Sequence, residues 1–167
     1  MTPICPWMRR ACEPRSGQGG LGLTSRLVLQ NIGPVGNPGM PEAGYIPIPK
    51  KLAQAGVKDM LRISDGRMSG TASGAVVLHL APEASIGGPL AVVRDGDRIR
   101  LNVETRQLDL LISGEEMATR LEQWRASTAT AELEAKKKVR GYKGLYRRSV
   151  LQADKGADFD FLTAEGC

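Results

Sequence analysis

The sequence predicts an α/β domain, a small and mostly-β barrel with peripheral helices, on three observations. Short runs of Val, Leu and Ile recur between Gly- and Pro-rich breaks, residues 90–112 alternate apolar with polar, and helix-capping signals stand around Pro49 and Ser113. The composition agrees: of 167 residues, 41% are hydrophobic and 25% charged, as in one ordinary globular domain. Aromatic residues make up only 4%, beside 20 Gly and 10 Pro, so the core must rest on aliphatic side chains held between many turns.

Residues 1–25, with Pro3, Pro6, Pro14 and a Ser/Gly-rich run, read as an irregular leader, and residues 26–167 as the folded domain. Arg26-Leu27-Val28-Leu29-Gln30 reads as a buried strand. It runs into a loop dense in breakers, residues 33–42, where Gly permits close approach of the backbone and Pro fixes its path. Pro49 near a first helical position and Gly56 at a C-terminal cap predict a short helix between them. A strand at 60–63, a small-residue loop at 64–74 and a strand from Ala75 follow. Residues 90–93 read as a strand and 94–97 as a turn; Ile99, Leu101 and Val103 then form the buried face of the next strand. Leu108, Leu110 and Ile112 repeat the alternation, and Ser113 is placed to cap a helix from Glu115 to about Arg125. Residues 126–140 read as an exposed helix or linker, and Tyr142, Leu145, Tyr146, Val150 and Leu151 recur at roughly helical spacing.

Several function classes drop out. No apolar run approaches the ~20 residues that cross a bilayer, and the first residues lack the apolar core of a signal peptide. No membrane partner is expected, and a cytoplasmic location is. Cys5, Cys12 and Cys167 match neither a disulfide framework nor zinc-ligand spacing and read as free thiols. The formal net charge of +5 is unevenly spread: residues 125–148 carry eight basic against two acidic side chains. Lys136, Lys137 and Lys138 with Arg140, Arg147 and Arg148 read as a solvated face, with no nucleic-acid partner, because stacking aromatics and a reading-helix pattern are missing.

Chemistry concentrates in the loops. Residues 64–74 gather Ser64, Ser69 and Thr71 beside Asp65 and Arg67, a composition that suits either an anion-binding loop or a Ser/Gly-rich surface turn. It matches neither the phosphate loop nor the nucleophile elbow of hydrolases. His79, the sole histidine, lies in an apolar run and reads as a hydrogen-bonded structural residue. Glu42 is the only carboxylate in the first loop and can supply one oxygen ligand to a hard cation, not a whole site.

Five ordered blocks resemble the C-terminal part of the dihydroxy-acid and sugar-acid dehydratase family. They are Asn31-Ile32-Gly33-Pro34-Val35-Gly36-Asn37-Pro38-Gly39-Met40-Pro41-Glu42, Arg62-Ile63-Ser64-Asp65-Gly66-Arg67-Met68-Ser69-Gly70-Thr71, His79-Leu80-Ala81-Pro82-Glu83-Ala84 with Gly87-Gly88-Pro89, Asp95-Gly96-Asp97, and residues 152–162. Residues 47–51 and the Arg-Met-Ser-Gly-Thr form of the second block are closer to the arabinonate and xylonate dehydratases than to the branched-chain amino acid enzyme.

The resemblance implies a swivelling β/β/α barrel and a hydro-lyase that converts a 2,3-dihydroxy or sugar acid to a 2-keto-3-deoxy acid with Mg²⁺ and an iron–sulfur cluster. It implies Ser69 as the base, Thr71 beside it against substrate, and Glu42 as a Mg²⁺ ligand. It also implies a large N-terminal domain carrying the cluster cysteines, which does not fit in 25 residues. The expectation is therefore a domain that acts only with a separate N-terminal dehydratase polypeptide, and assembles as a homo-oligomer. The alternative is a truncated, inactive remnant serving as a binding or oligomerisation module. Ser149 stands where the sugar-acid members usually have a substrate-contacting His.

Overall fold

The computed structural model of the chain describes Met8–Arg9 and residues 26–163. The expected leader therefore lies outside the described residues except at β1 (Met8–Arg9), whose backbone pairs antiparallel with β2 (Leu27–Leu29). All three cysteines also lie outside them.

β2 pairs in parallel with β3 (Arg62–Ser64), and β3 in parallel with β4 (Val76–Val77), giving a four-stranded sheet of order β1-β2-β3-β4. Every residue of β2 and β3 is buried, as expected for parallel strands covered on both faces. Alternation sorts them. Val28 and Ile63 pack with Leu61, Ala84, Leu90 and Val93 on one face, while Leu27 and Leu29 pack with Ile46, Leu52, Met60 and Met68 on the other. The second face is covered by the chain between β2 and β3, including α1 (Lys50–Gln54), which sits between Pro49 and Gly56 as the capping signals predict.

Residues 90–93, expected as a strand, instead continue a 3-10 helix, Pro89–Val92, with Val93 as its extended C-cap. Pro89 fixes the first helical φ and has no N–H to give to a ladder, while Leu90, Val92 and Val93 still reach the core from the tighter coil. β5 (Ile99–Asn102) and β6 (Gln107–Leu110) pair antiparallel, with Arg100 opposite Asp109 at 2.8 Å; of the residues expected as a buried face only Ile99 packs inward, while Leu101 and, beyond the strand, Val103 are exposed because no second layer covers that part of the hairpin. Its apolar face joins the first cluster through Ile99, Leu108 and Leu110. No strand pairing joins this hairpin to the sheet among the described residues.

Ser113 caps α2 (Gly114–Arg125), its hydroxyl accepting the Glu116 N–H at 3.1 Å. α3 (Thr128–Lys137) and α4 (Tyr142–Ser149) follow, and Leu133, Tyr146 and Val150 pack on Val35 of the first breaker-rich loop. The helices thus buttress the loops rather than the sheet.

Gly88, with Gly144, marks the tightest approach in this packing. A Cβ there would stand 1.7 Å from the Pro82 carbonyl oxygen, in a turn where Gly88 N–H already donates to Glu83 O at 3.0 Å. Gly88→Ala should lower unfolding stability by about 2–3 kcal/mol in urea titrations; a change under about 0.5 kcal/mol would show that the turn can open.

Candidate functional site

Two long loops without regular structure need acceptors for their buried N–H groups. Two carboxylates supply them. Asp65, fully buried at the end of β3, accepts the N–H groups of Asn31 at 3.0 Å, Ile32 at 3.1 Å and Ala84 at 2.9 Å. Glu83, also fully buried, accepts those of Val35 at 2.8 Å and Gly36 at 3.0 Å, together with the Gln152 amide at 2.9 Å. Gly33 makes this possible, since a Cβ there would lie 2.4 Å from the nearer Glu83 oxygen. Burial pushes both carboxyls above their ordinary pKa, against the pull of these donors.

A second clamp closes the other end of the 64–74 loop. Arg62, buried in β3, donates to Ser73 O at 2.6 Å and to Asp59 at 3.0 Å, while Asp59 accepts the Ala75 N–H at 2.8 Å. The Ala75 bond above all holds the exposed Asp59 carboxyl below its ordinary value. The Arg62 guanidinium lies 5.2 Å from the Tyr45 ring centroid, a cation–π contact that reaches the segment after Glu42.

The loops themselves are joined by Arg67. Its Nε donates to Met40 O at 2.7 Å, and Ala43 N–H donates to Arg67 O at 2.8 Å. Glu42, the residue before Ala43, is exposed on this shared rim and makes no hydrogen bond or ion pair among the described residues. On the same loop, half-buried Ser69 and exposed Thr71 have their hydroxyls 3.0 Å apart, and the Thr71 N–H reaches Ser69 Oγ at 3.4 Å. Ser64 does not join them: it is buried and accepts the Gly66 N–H.

His79 departs from expectation. Its side chain is exposed and unbonded among the described residues, and its backbone, at φ 57°, donates to Gly66 O at 3.1 Å. Ser149 ends α4, half-buried. No group of three or more His, Cys, Asp or Glu side chains among the described residues is placed to hold a metal ion. No described helix is long and apolar enough to cross a membrane.

Residues 17–157 match the C-terminal domain of the dihydroxy-acid/6-phosphogluconate dehydratases. The chain belongs to that family. It is 53% identical over 138 residues to the 6-deoxy-6-sulfo-D-gluconate dehydratase of Pseudomonas putida, which covers 83% of this chain and 23% of the relative. It is 50% identical over 141 residues to the L-arabinonate dehydratase of Rhizobium leguminosarum, covering 84% of this chain and 23% of the relative. The dihydroxy-acid dehydratase of Methanoregula boonei is 37% identical over 131 residues, covering 78% and 22%. The chain thus spans about a quarter of the length of these relatives.

Within this dehydratase domain the family blocks carry two kinds of residue. Glu42, Ser69 and Thr71 lie at the rim, where they can meet another molecule. Asp65 and Glu83 are buried and hold the backbone at residues 31–36 and at Ala84. The sequence reading grouped Asp65 with the loop hydroxyls and passed over Glu83 and Gln152. A usable signal existed, because a carboxylate in an otherwise apolar stretch needs donors, and loops rich in Gly have N–H groups to give.

The raised carboxyls set a pH dependence. A folded state with higher carboxyl pKa values binds protons more tightly than the unfolded chain. The stability from these groups is therefore fullest below the ordinary carboxylate range and declines as pH rises through the raised folded values. Urea midpoints should show this decline above about pH 4 in the wild type, and less of it in Glu83→Gln, which cannot titrate there and loses about 2 kcal/mol of stability. Identical pH profiles for the two proteins would contradict this assignment.

Proposed function

We propose that the chain is the C-terminal, swivelling-barrel part of a hydro-lyase that dehydrates a 2,3-dihydroxy sugar acid to a 2-keto-3-deoxy acid, and that it acts when joined by an N-terminal dehydratase polypeptide. One observation carries the reading: Arg67 joins the Glu42 loop to the Ser69–Thr71 loop, so the three residues singled out for chemistry share one rim. The higher identity to the two sugar-acid enzymes than to the Methanoregula enzyme over comparable spans supports a sugar acid as substrate.

In this reading Ser69 Oγ takes the proton from C2 of the substrate, the 3-hydroxyl leaves with the C3–O bond electrons, and the resulting enol tautomerises to the 2-keto acid. The Thr71 hydroxyl at 3.0 Å and N–H at 3.4 Å are donors that favour the ionised form of Ser69. They do not suffice, because a serine hydroxyl needs nearby positive charge to ionise and the Arg67 Nε is engaged by Met40 O. Glu42, exposed and unpaired among the described residues, fits as one of several oxygen ligands of Mg²⁺. Such a cation supplies the missing positive charge and stabilises the anion that forms next to the substrate carboxylate. The described residues include no cysteine, so thiolates for an iron–sulfur cluster would come from elsewhere.

The same reading places the protein in the cytoplasm, in a homo-oligomer. Support for a partner comes from a run of rings linking buried Tyr146 to exposed Tyr142 and, through Phe159, to exposed Phe161.

A chimera tests the proposal: the L-arabinonate dehydratase of Rhizobium leguminosarum with its matched segment replaced by residues 26–163. It should form keto acid from L-arabinonate, and Ser69→Ala should lower kcat by about 10³-fold. A folded chimera without activity, or with activity indifferent to Ser69→Ala, would favour a catalytically silent binding or oligomerisation module.

A further inference from the structure

The dehydratase reading leaves without a role the basic run Lys136, Lys137, Lys138, Arg140, Arg147 and Arg148. A solvated face would spread these charges outward. Part of the run converges instead. The last turn of α3 brings Lys137, the last turn of α4 brings Arg147 and Arg148, and the turn Ala153–Lys155 brings Lys155, to one hollow of about 460 Å³. Four cationic side chains there meet one carboxylate, Asp154, over a floor that includes Val35, Pro82 and Val150. The volume is that of a small-molecule site.

Basic residues at helix C-termini also offset the helix dipole and cap its carbonyls. That explains Arg148, which donates to Lys137 O at 2.8 Å, and Lys137 is paired with Glu134 at 2.9 Å. It leaves Arg147 and Lys155. Neither side chain makes a hydrogen bond or ion pair among the described residues, and Arg147 Nε is buried without an acceptor. Leaving a buried guanidinium N–H unpaired is destabilising, and its planar fork is shaped to pair with an oxyanion. None of Glu42, Ser69 and Thr71 lines the hollow, so this inference stands apart from the dehydratase reading.

We propose that the hollow binds a small organic anion, its oxyanion head group held by Arg147 and Lys155 and its body laid on the apolar floor. Two basic side chains without partners among the described residues, beside an apolar surface, match that chemistry. A nucleic acid would engage the outward Lys136, Lys138 and Arg140 as well.

Calorimetric titration of inorganic phosphate into the 167-residue chain at low ionic strength tests this. One saturable site is expected, weakened about tenfold by Arg147→Gln and by Lys155→Gln, with partial recovery in Arg147→Lys. Lys155 is exposed, so its variant keeps the test valid even where an Arg147 variant fails to fold. Parallel titrations with methyl phosphate, methanesulfonate and acetate identify the preferred head group. The proposal is overturned by the absence of saturable binding, by equal affinity in the Lys155→Gln variant, or by duplex DNA binding that survives Lys155→Gln and is lost when Lys136, Lys138 and Arg140 are neutralised.

Discussion

Two buried carboxylates hold the breaker-rich loop after β2 and the turn at Ala84 in place. Asp65 and Glu83 between them accept five backbone N–H groups from segments that have neither helix nor sheet to satisfy them. Removing such acceptors would leave several buried donors unpaired at once, each destabilising by about 1–3 kcal/mol. The breaker-rich composition of residues 31–42 makes sense in this light. Gly33 and Gly36 leave room for the Glu83 side chain and its neighbour Ser85, and Pro34, wholly buried, has no N–H that needs an acceptor.

The clamps are linked through the chain. Asp65 directly follows β3, in which Ile63 packs in the first core cluster and Arg62 closes the 64–74 loop at Ser73. Glu83 is held in turn by Gln152, beyond α4, whose partners Tyr146 and Val150 pack on Val35. The start of the breaker-rich loop is thereby tied to the sheet through Asp65 and to the helices through Val35. That arrangement suits a surface that must be ordered before a second body docks against it.

Legibility from sequence followed the range of the interactions involved. Local chemistry was readable: the Ser113 cap, the helix between Pro49 and Gly56, and the hairpin alternation of Ile99, Leu108 and Leu110 each depend on residues a few positions apart. Residues 90–93 misled because an apolar run carries no period that separates a strand from a tight 3-10 coil, and Pro89 decided the matter. Ser69, Thr71 and Glu42 were singled out through family blocks, and the contact that the structure shows between the two hydroxyls spans only two positions. Asp65 and Glu83 were misjudged or missed because their partners lie 19 to 69 positions away, and nothing local says that a carboxylate will turn inward. Arg67 illustrates the same limit: it was placed in a loop that suited either anion binding or a surface turn, and its Nε is engaged across 27 positions by Met40 O.

The most direct test is amide hydrogen exchange of the chain in solution, read residue by residue. If the carboxylate clamps fix the loops, the amides of Ile32, Val35, Gly36 and Ala84 will exchange as slowly as those of Val28 and Ile63 in the sheet, although none of the four lies in a strand. If these four exchange at the rate of open loops while Val28 and Ile63 stay protected, the loops are not held from beneath, and the account of a preformed rim is wrong.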